Sequence, residues 1–369
     1  MIARIGAFYF FYFALIGVFI AYTPKILQMV GYSGTQIGFL FSIPPLIRFL
    51  IPFVFLKHLK LTLNLYHISL VLTIIGGVGV FLFLNSFYLL IPSVLLMGIG
   101  MSLTLPHIET IALTLLSKER YGNVRLFGSI GFIVVILILP YYLDYPQNAL
   151  YFLLGSAFLT LIFGFNINAK HESIGGVKDS ERFSLKKHWA LWVSLFLTQA
   201  AFAAFYNFFT NYESSVNITL ETISYLWTIG VVFEIIMFRF QKPLLQFNLL
   251  HILQFTTFIT AIRWFIIYLF PQNEIMLFIA QSTHALSYAL YYTASIALLH
   301  TLYEDKKLAQ QFSLGIAYGL GGFLGALIAG VVYEYYNQYL FLYASILTLI
   351  SLIFLFLENK NINLSYTKY

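Results

Sequence analysis

The polar stretch HESIGGVKDSERFSLKKH, His171–His188, interrupts a chain that is otherwise mostly apolar. It lies near the middle of 369 residues, of which 60% are hydrophobic and only 9% are charged. Soluble proteins are about 25% charged, so this chain has too few charges to cover a water-facing surface. The composition therefore predicts an integral membrane protein. It excludes a soluble enzyme, a secreted domain and a nucleic-acid-binding protein, although the net charge is +6.

Apolar runs of membrane-spanning length lie on both sides of this stretch. A membrane helix needs about 20 mainly apolar residues, whereas a membrane β-barrel shows short segments of alternating polarity. The runs are continuously apolar, so we predict an all-α protein with twelve transmembrane helices. The first run is too long for a cleaved signal peptide. The twelve runs are Gly6–Met29, Gln36–Leu56, Tyr66–Leu84, Tyr88–Thr114, Arg125–Leu143, Ala149–Ile167, Trp189–Tyr212, Thr222–Phe240, Leu249–Phe270, Ile275–Leu302, Ala309–Tyr333 and Leu340–Leu357.

Positive charge alternates between the segments that connect these runs. Of the 20 Lys and Arg residues, 17 fall on the side of the N-terminus, in connecting segments or at the ends of runs (Arg125 and Arg239), and three, Lys25, Arg48 and Arg263, fall deeper within runs. Cytoplasmic loops of membrane proteins carry an excess of Lys and Arg, so we predict that both termini are cytoplasmic. The predicted outer loops carry only acidic charges, at Asp144, Glu213, Glu221, Glu274 and Glu334.

The two sets of six runs resemble each other. QIGFLFSIPPLIRF (Gln36–Phe49) aligns without gaps with TISYLWTIGVVFEI (Thr222–Ile235), and GSIGF at Gly128–Phe132 resembles GLGGF at Gly319–Phe323. We therefore predict two pseudo-symmetric six-helix bundles, at residues 1–168 and 189–358, with a cytoplasmic linker at 169–188 and a cytoplasmic tail at 359–369. Parallel repeats with a solute site between them describe the major facilitator architecture.

Ionisable side chains within the runs are the candidate site residues. A charged side chain at the bilayer centre costs about 2.5–3.5 kcal/mol on insertion scales, so it faces the protein interior and marks a pathway. Cations outnumber carboxylates in this set, which favours an anionic solute. Structural roles stay open: an interfacial position for Lys25, an ordinary loop cation at Arg125, a hydrogen-bonded neutral His284, and structural ion pairs at Arg48, Arg263 and Glu234. The set is Lys25, Arg48, Glu109, Arg125, Glu234, Arg263 and His284.

Aromatic residues, 19% of the chain, concentrate in AFYFFYF (Ala7–Phe13) and AAFAAFYNFF (Ala200–Phe209). They either contact lipid or form a cavity wall that stacks on a planar substrate. The glycines of the fifth and eleventh runs allow close helix packing, which suits either sliding helices or static ones.

Several motifs resemble a known group of transporters. They include PHIE (Pro106–Glu109), YGNVRLFGSIGF (Tyr121–Phe132), NFFT (Asn207–Thr210), AIRWF (Ala261–Phe265) and QSTHALSYA (Gln281–Ala289). The chain resembles the oligosaccharide:proton and nucleoside:proton symporters and the phenylpropionate-permease-like branch of the major facilitator superfamily. WTIGVVFEIIMF, Trp227–Phe238, is similar to that last branch in particular. The resemblance implies a substrate-contacting charge pair at Glu109 and Arg125, with Arg263, His284 and Asn207 at further site positions.

The chain also departs from the pattern of lactose permease in this group. Ser287 stands where a proton-binding glutamate is expected, Gln199 lies where an acidic pair is expected, and the lysine of the eleventh span is missing. The loop after the second span reads FLKHLKLTLNL, Phe55–Leu65, instead of the usual superfamily motif. Lactose is therefore not the expected substrate. Glu234, the only deep carboxylate of the second half, is the expected proton carrier.

These observations predict a secondary active transporter that moves a small organic solute by proton-coupled alternating access. The solute is expected to be an organic anion such as an aromatic carboxylate. The predicted proton-coupling residues are Glu234 and His284. The predicted substrate-binding residues are Glu109, Arg125, Arg263, His284, Arg48 and Asn207.

Other functions stay open at this stage. A sugar or nucleoside proton symporter and a drug or metabolite exporter would use the same fold, and a channel or a polytopic membrane enzyme is a more distant alternative. The chain has no HExxH motif, no phosphate-binding loop and no cysteine, so we expect no catalytic residue, cofactor or metal. The expected partners are the solute, protons and the bilayer, without nucleic acid. The resemblance implies a monomer in the bacterial inner membrane.

Overall fold

The computed structural model describes residues 1–57, 62–167 and 184–366. Most of the predicted linker at 169–188 and the end of the predicted tail at 359–369 lie outside these residues. Every regular element in the described part is helical. The α-helices are α1 (Ile2–Gly17), α2 (Thr23–Val30), α3 (Gly34–Lys57), α4 (Leu63–Leu82), α5 (Phe87–Leu115), α6 (Lys118–Ile138), α7 (Pro146–Phe165), α8 (Trp189–Ser215), α9 (Leu220–Phe240), α10 (Leu249–Leu269), α11 (Glu274–Ser282), α12 (Tyr291–Leu302), α13 (Lys306–Ser313), α14 (Gly322–Tyr336) and α15 (Leu340–Tyr366).

Three π-helical stretches join consecutive α-helices: Val18–Tyr22 joins α1 to α2, Ala285–Leu290 follows α11, and Leu314–Gly321 joins α13 to α14. A π-helix has an i→i+5 hydrogen-bond pattern and occurs often at functional sites. The stretch after α11 begins directly after His284, one of the predicted site residues.

Ten helical stretches of the described chain are long and apolar enough to cross a membrane. The tenth, Lys306–Asn359, has 54 residues. At 1.5 Å per residue it would be about 80 Å long, against a hydrocarbon core of about 30 Å, and a 3₁₀ turn at Asn337–Tyr339 divides it. The helices of Glu274–Leu302 are too interrupted to be counted as one stretch. The number of crossings and the orientation stay predictions.

The helix packing repeats between the two halves of the chain. In the N-terminal half, α1 packs against α6 and α7, and α4 packs against α5 and α7. In the C-terminal half, α8 packs against α14 and α15, and α10 packs against α12 and α15. Each half thus has a central helix, α1 or α8, that contacts the fifth and sixth predicted spans of its own half. This matches the repeat that the sequence predicts.

The first helices define two opposite ends of the bundle, a proximal face and a distal face. The proximal face is the one where α1 begins at Ile2, and the distal face is the one where α2 ends at Val30. Gly31 ends α2 with a φ of 103°, a left-handed conformation that glycine adopts without strain. The Tyr32 hydroxyl then donates to the carbonyl of Leu84, 2.8 Å away, and so ties the distal ends of α2 and α4 together.

Hydrogen bonds join the two halves at the distal face. The Asn211 amide on α8 donates to the Pro24 carbonyl (3.1 Å) and to Gln28 Oε1 (3.3 Å) on α2. The Gln28 amide in turn donates to the Tyr333 hydroxyl on α14 at 2.9 Å. These four residues, Pro24, Gln28, Asn211 and Tyr333, form what we call the distal gate. In this structure the distal gate is closed.

A second contact between the halves runs along α3 and α14. A Cβ added to Gly38 would lie 2.6 Å from the Ala326 carbonyl oxygen and 2.8 Å from Gly330 Cα, and one added to Gly34 would lie 2.8 Å from the Gly330 carbonyl oxygen. The two helices therefore touch backbone to backbone, which is possible only because both carry glycine there. At the end of this crossing, the Thr35 N–H donates to Glu334 Oε2 at 2.8 Å.

Candidate functional site

Arg125 and Glu109 form an ion pair in the N-terminal half. The Ser117 side chain caps the start of α6, which places Arg125 two turns into that helix, facing Glu109 on α5. Arg125 Nε lies 3.4 Å from Glu109 Oε1, and about a third of each side chain is exposed (30% and 34%). The guanidinium also lies over the rings of Phe13 (4.1 Å) and Tyr9 (5.2 Å) on α1. The pair is thus held in place but open to a solute.

Arg263 forms the centre of a buried cluster in the C-terminal half. Its side chain is fully buried. One terminal nitrogen donates to Gln281 Oε1 at 2.6 Å, and the other contacts His284 Nδ1 (2.8 Å) and Ser287 Oγ (3.1 Å). The guanidinium carbon also lies 4.5 Å from the centre of the Phe205 ring. Polar partners and a π-face together offset the cost of burying this cation.

His284 links Arg263 to Glu234. A guanidinium has only donors, so the contact at 2.8 Å requires His284 Nδ1 to be the acceptor. The ring proton is therefore on Nε2, which lies 3.4 Å from Glu234 Oε2. A second proton on Nδ1 would place two donors against each other. The group of this arrangement that is left to accept a proton is the Glu234 carboxylate, whose side chain is 23% exposed.

A column of stacked rings continues from His284 along the tenth predicted span. The His284 and Tyr288 rings lie 5.2 Å apart and 6° from parallel, and the Tyr288 and Tyr292 rings lie 6.4 Å apart and 12° from parallel. Tyr288 is within electrostatic range of Glu234 and of Arg125, and Tyr292 is within range of Glu109 and Arg125. The column therefore runs from the cluster of one half to within electrostatic range of the ion pair of the other.

Three predicted residues lie apart from these contacts. Arg48 on α3 is exposed and has no carboxylate within 4.0 Å in the described part of the chain; it is within electrostatic range of Tyr12 and Tyr288, in different halves. Asn207 is half-buried on α8. Lys25 is half-buried on α2 and donates to Gln28 Oε1 at 3.2 Å, so it supports the distal gate.

The structure also shows buried polar side chains that we did not assign from the sequence. Gln281 and Ser287 bind Arg263; each lies three residues from His284, so helical spacing alone could have suggested them. Glu213, which we placed in an outer loop, is instead inside α8 and fully buried. That placement was wrong because the apolar run ends at Tyr212, whereas the helix continues to Ser215.

Metal binding has no support in the described residues. No three His, Asp or Glu side chains of residues 1–57, 62–167 and 184–366 converge as metal ligands. The arrangement instead offers two arginine-centred groups, stacked aromatic rings and one exposed carboxylate beside a histidine. Arginine binds carboxylates through two parallel hydrogen bonds, so this arrangement suits an anion better than a cation.

The sequence is similar to those of bacterial transporters. It is 24% identical over 252 residues to a protein of Escherichia coli (strain K12) named as a probable 3-phenylpropionic acid transporter, covering 64% of this chain and 66% of that protein, just under two thirds of its length. It is 26% identical over 285 residues to the uncharacterized transporter YwbF of Bacillus subtilis (strain 168), covering 73% of this chain and 70% of that protein.

Solved transporter structures share the fold. The nucleoside transporter NupG superposes with a TM-score of 0.77 at 15% identity, over 98% of both chains. The POT family transporter PepTSo gives a TM-score of 0.77 at 8% identity, over 99% of both chains. The sequence profile of the MFS_1 like family matches residues 2–363. The chain belongs to this family and is a multi-pass membrane transporter of the major facilitator superfamily.

Proposed function

We propose that this chain is a proton-coupled symporter that carries a small organic anion, an aromatic carboxylate, by alternating access. One observation carries the proposal: each half holds an arginine-centred group, the chain of contacts Arg263–His284–Glu234 in one half and the partly exposed pair Arg125–Glu109 in the other. Stacked rings run from the first group to Tyr292, which is within electrostatic range of the second.

The excess of positive charge supports an anionic solute. Arg48 is exposed between the halves without a carboxylate within 4.0 Å in the described residues, and Arg125 shares only one 3.4 Å contact with Glu109. Both arginines are within electrostatic range of Tyr12 and Tyr288, so a carboxylate bound beside these rings would be attracted by both. Tyr288 and Tyr292 are both partly exposed, so their rings offer a surface on which an aromatic solute stacks.

The partly exposed carboxylate of Glu234, beside His284, supports proton coupling. Protonation of this carboxylate removes one negative charge from the space where the anion binds. Two unit charges about 10 Å apart at an effective dielectric of about 20 interact by about 1.7 kcal/mol, which is a factor of about 20 in affinity. Binding of the proton therefore strengthens binding of the anion, and the two move together.

The predicted orientation gives the direction of access. With the termini in the cytoplasm, the distal gate faces outward and is closed, and the Arg125–Glu109 pair lies near the proximal ends of α5 and α6. The structure then corresponds to a conformation that is closed to the outside. The Escherichia coli relative, named as a probable 3-phenylpropionic acid transporter, supports the same class of solute here.

Transport in proteoliposomes tests this proposal. Purified protein in vesicles is given radiolabelled 3-phenylpropionate with an acidic outside, and a pH-sensitive dye reports protons entering with the solute. We expect uphill accumulation with acidification of the interior, weak competition by the amide 3-phenylpropionamide, and loss of accumulation in Glu234→Gln. Equal competition by the amide would exclude the anion, and full accumulation by Glu234→Gln would exclude that carboxylate. Uridine and lactose in the same assay test the nucleoside and sugar alternatives.

A further inference from the structure

Glu213 is a buried acid that the proposed transport mechanism leaves without a role. Its side chain is fully buried, and neither carboxyl oxygen has a hydrogen-bond partner in the described residues. Its main-chain carbonyl accepts from the N–H groups of Val216 (3.2 Å) and Ile218 (3.1 Å), which fixes the residue in the last turn of α8. The C-terminal end of a helix is also the negative end of its dipole, which disfavours a carboxylate there.

The charged groups at the distal ends of the elements packed on α8 all have other partners. Lys25 on α2 contacts Gln28, Glu334 on α14 accepts from Thr35, and Glu221 on α9 accepts from Tyr141 and Tyr225. Of the titratable groups nearby, Tyr212 is within electrostatic range of Glu213. The other tyrosines of this region are Tyr22, Tyr268, Tyr333 and Tyr343.

Burial without a counter-charge determines the form of this acid. Burying an ionised carboxylate without a counter-charge costs far more free energy than burying a neutral carboxyl that lacks its hydrogen bonds. Glu213 is therefore neutral, carrying a proton, while the distal gate is closed.

Glu213 lies near a different contact between the two halves. Asn211 of the distal gate is two residues earlier on the same helix, and residues two apart on a helix point to nearly opposite sides, so Glu213 faces away from α2. Glu213 shares a helix face with Thr210 and Tyr206, three and seven residues earlier. Thr210 Oγ1 accepts from the indole of Trp227 at 3.0 Å, and the Trp227 ring contacts Phe132 of the other half. When the two halves separate at the distal face, the contact between Trp227 and Phe132 opens and water can reach this side of α8.

The same helix face leads to the proton carrier. Tyr206 is within electrostatic range of Glu234 and Arg263, and it lies about 10 Å from Glu213 along the helix axis, at 1.5 Å per residue. Tyr206, Thr210 and Glu213 thus form a line of polar groups from the distal end of α8 toward Glu234.

We propose that Glu213 is a second proton-binding group: it takes a proton from the distal side when the distal gate opens, and retains it when the gate closes. The proposal rests on the proton coupling proposed above. It divides the work between two carboxyls, since Glu213 receives the proton from outside and Glu234 delivers it inside.

Glu213→Gln tests this role, with Asp144→Asn, an exposed distal carboxylate, as the matched control. Both are compared with wild type in proteoliposomes with radiolabelled 3-phenylpropionate. Counterflow at equal pH requires no net proton movement, whereas accumulation against a gradient does. We expect Glu213→Gln to keep counterflow within about twofold, to lose accumulation at least tenfold, and to melt within a few degrees of wild type. Asp144→Asn should behave as wild type, and Glu213→Asp should recover part of the accumulation.

Each other outcome has a definite meaning. Accumulation by Glu213→Gln equal to wild type overturns the proposal, and so does a folded variant that has lost counterflow, because Glu213 would then serve the conformational change itself. Unfolding of Glu213→Gln also overturns it, since glutamine is the closest mimic of a neutral glutamate. If the wild-type protein moves the solute without protons, the proton coupling itself is refuted, whatever the variant does.

Discussion

The backbone contact between α3 and α14 makes Gly38→Ala a sensitive test of alternating access. The added methyl group would lie 2.6 Å from the Ala326 carbonyl oxygen, whereas an ordinary contact is about 3.4 Å or more, so the helices must separate by about 0.8 Å. Overpacking of this kind costs about 1–3 kcal/mol. The cost falls on the conformation with the distal gate closed, because the contact joins the two halves there.

The expected result is a shift in population of about 5- to 150-fold toward the distal-open conformation. The chain has no cysteine, so spin labels can be placed at Tyr88→Cys and Ile275→Cys, two highly exposed distal positions in different halves. Pulsed electron spin resonance between them should show a longer distance component in Gly38→Ala than in the wild-type background.

Gly155→Ala on α7 is the matched control. It adds the same methyl group to a helix and brings the same gain in helix propensity, but nothing lies within 4 Å of the added Cβ. Its distance distribution should equal that of the wild-type background. Identical distributions for the two alanine variants would refute the idea that the glycine contact controls the closure of the distal face.

Three further predictions concern the site and the orientation. Arg125→Lys keeps the charge but loses the planar fork of donors. It should raise the half-saturating 3-phenylpropionate concentration about tenfold, which corresponds to a loss of about 1.4 kcal/mol in binding free energy. An unchanged concentration would show that Arg125 does not bind the solute. His284→Asn should still accept from Arg263 but not reach Glu234, so counterflow should continue while solute-driven proton entry falls; normal proton entry would contradict the role of His284. In whole cells, an impermeant maleimide should label Glu274→Cys but not Lys306→Cys, and the reverse pattern would invert the predicted orientation.

The sequence was sufficient for the all-α fold and for finding the charged side chains of the interior, whose roles stay predictions. Apolar runs define membrane helices without knowledge of their packing, and the cost of burying charge identifies Arg263, His284 and Glu234 as interior groups. Their order of contact was not predictable, because Arg263, His284 and Glu234 are on different helices and meet only through tertiary packing. The acceptor role of His284 Nδ1 depends on that order.

Two other features could not be predicted from the sequence, for physical reasons. Hydropathy marks where apolar residues end, but a helix can continue beyond that point and bury an acid, as α8 does with Glu213. Glycine spacing indicates close packing without naming the partner, so the contact of Gly38 with Gly330 in the other half required the structure.

The position of the partners of Arg263 also bears on how the protein enters the membrane. Gln281, His284 and Ser287 follow Arg263 by 18, 21 and 24 residues, all on the next span of the chain. During synthesis, the arginine and its acceptors can therefore leave the translocon together as one helical hairpin. A cation of the first half whose partners lay in the second half would instead wait in lipid, unpaired, until the second half of the chain was made.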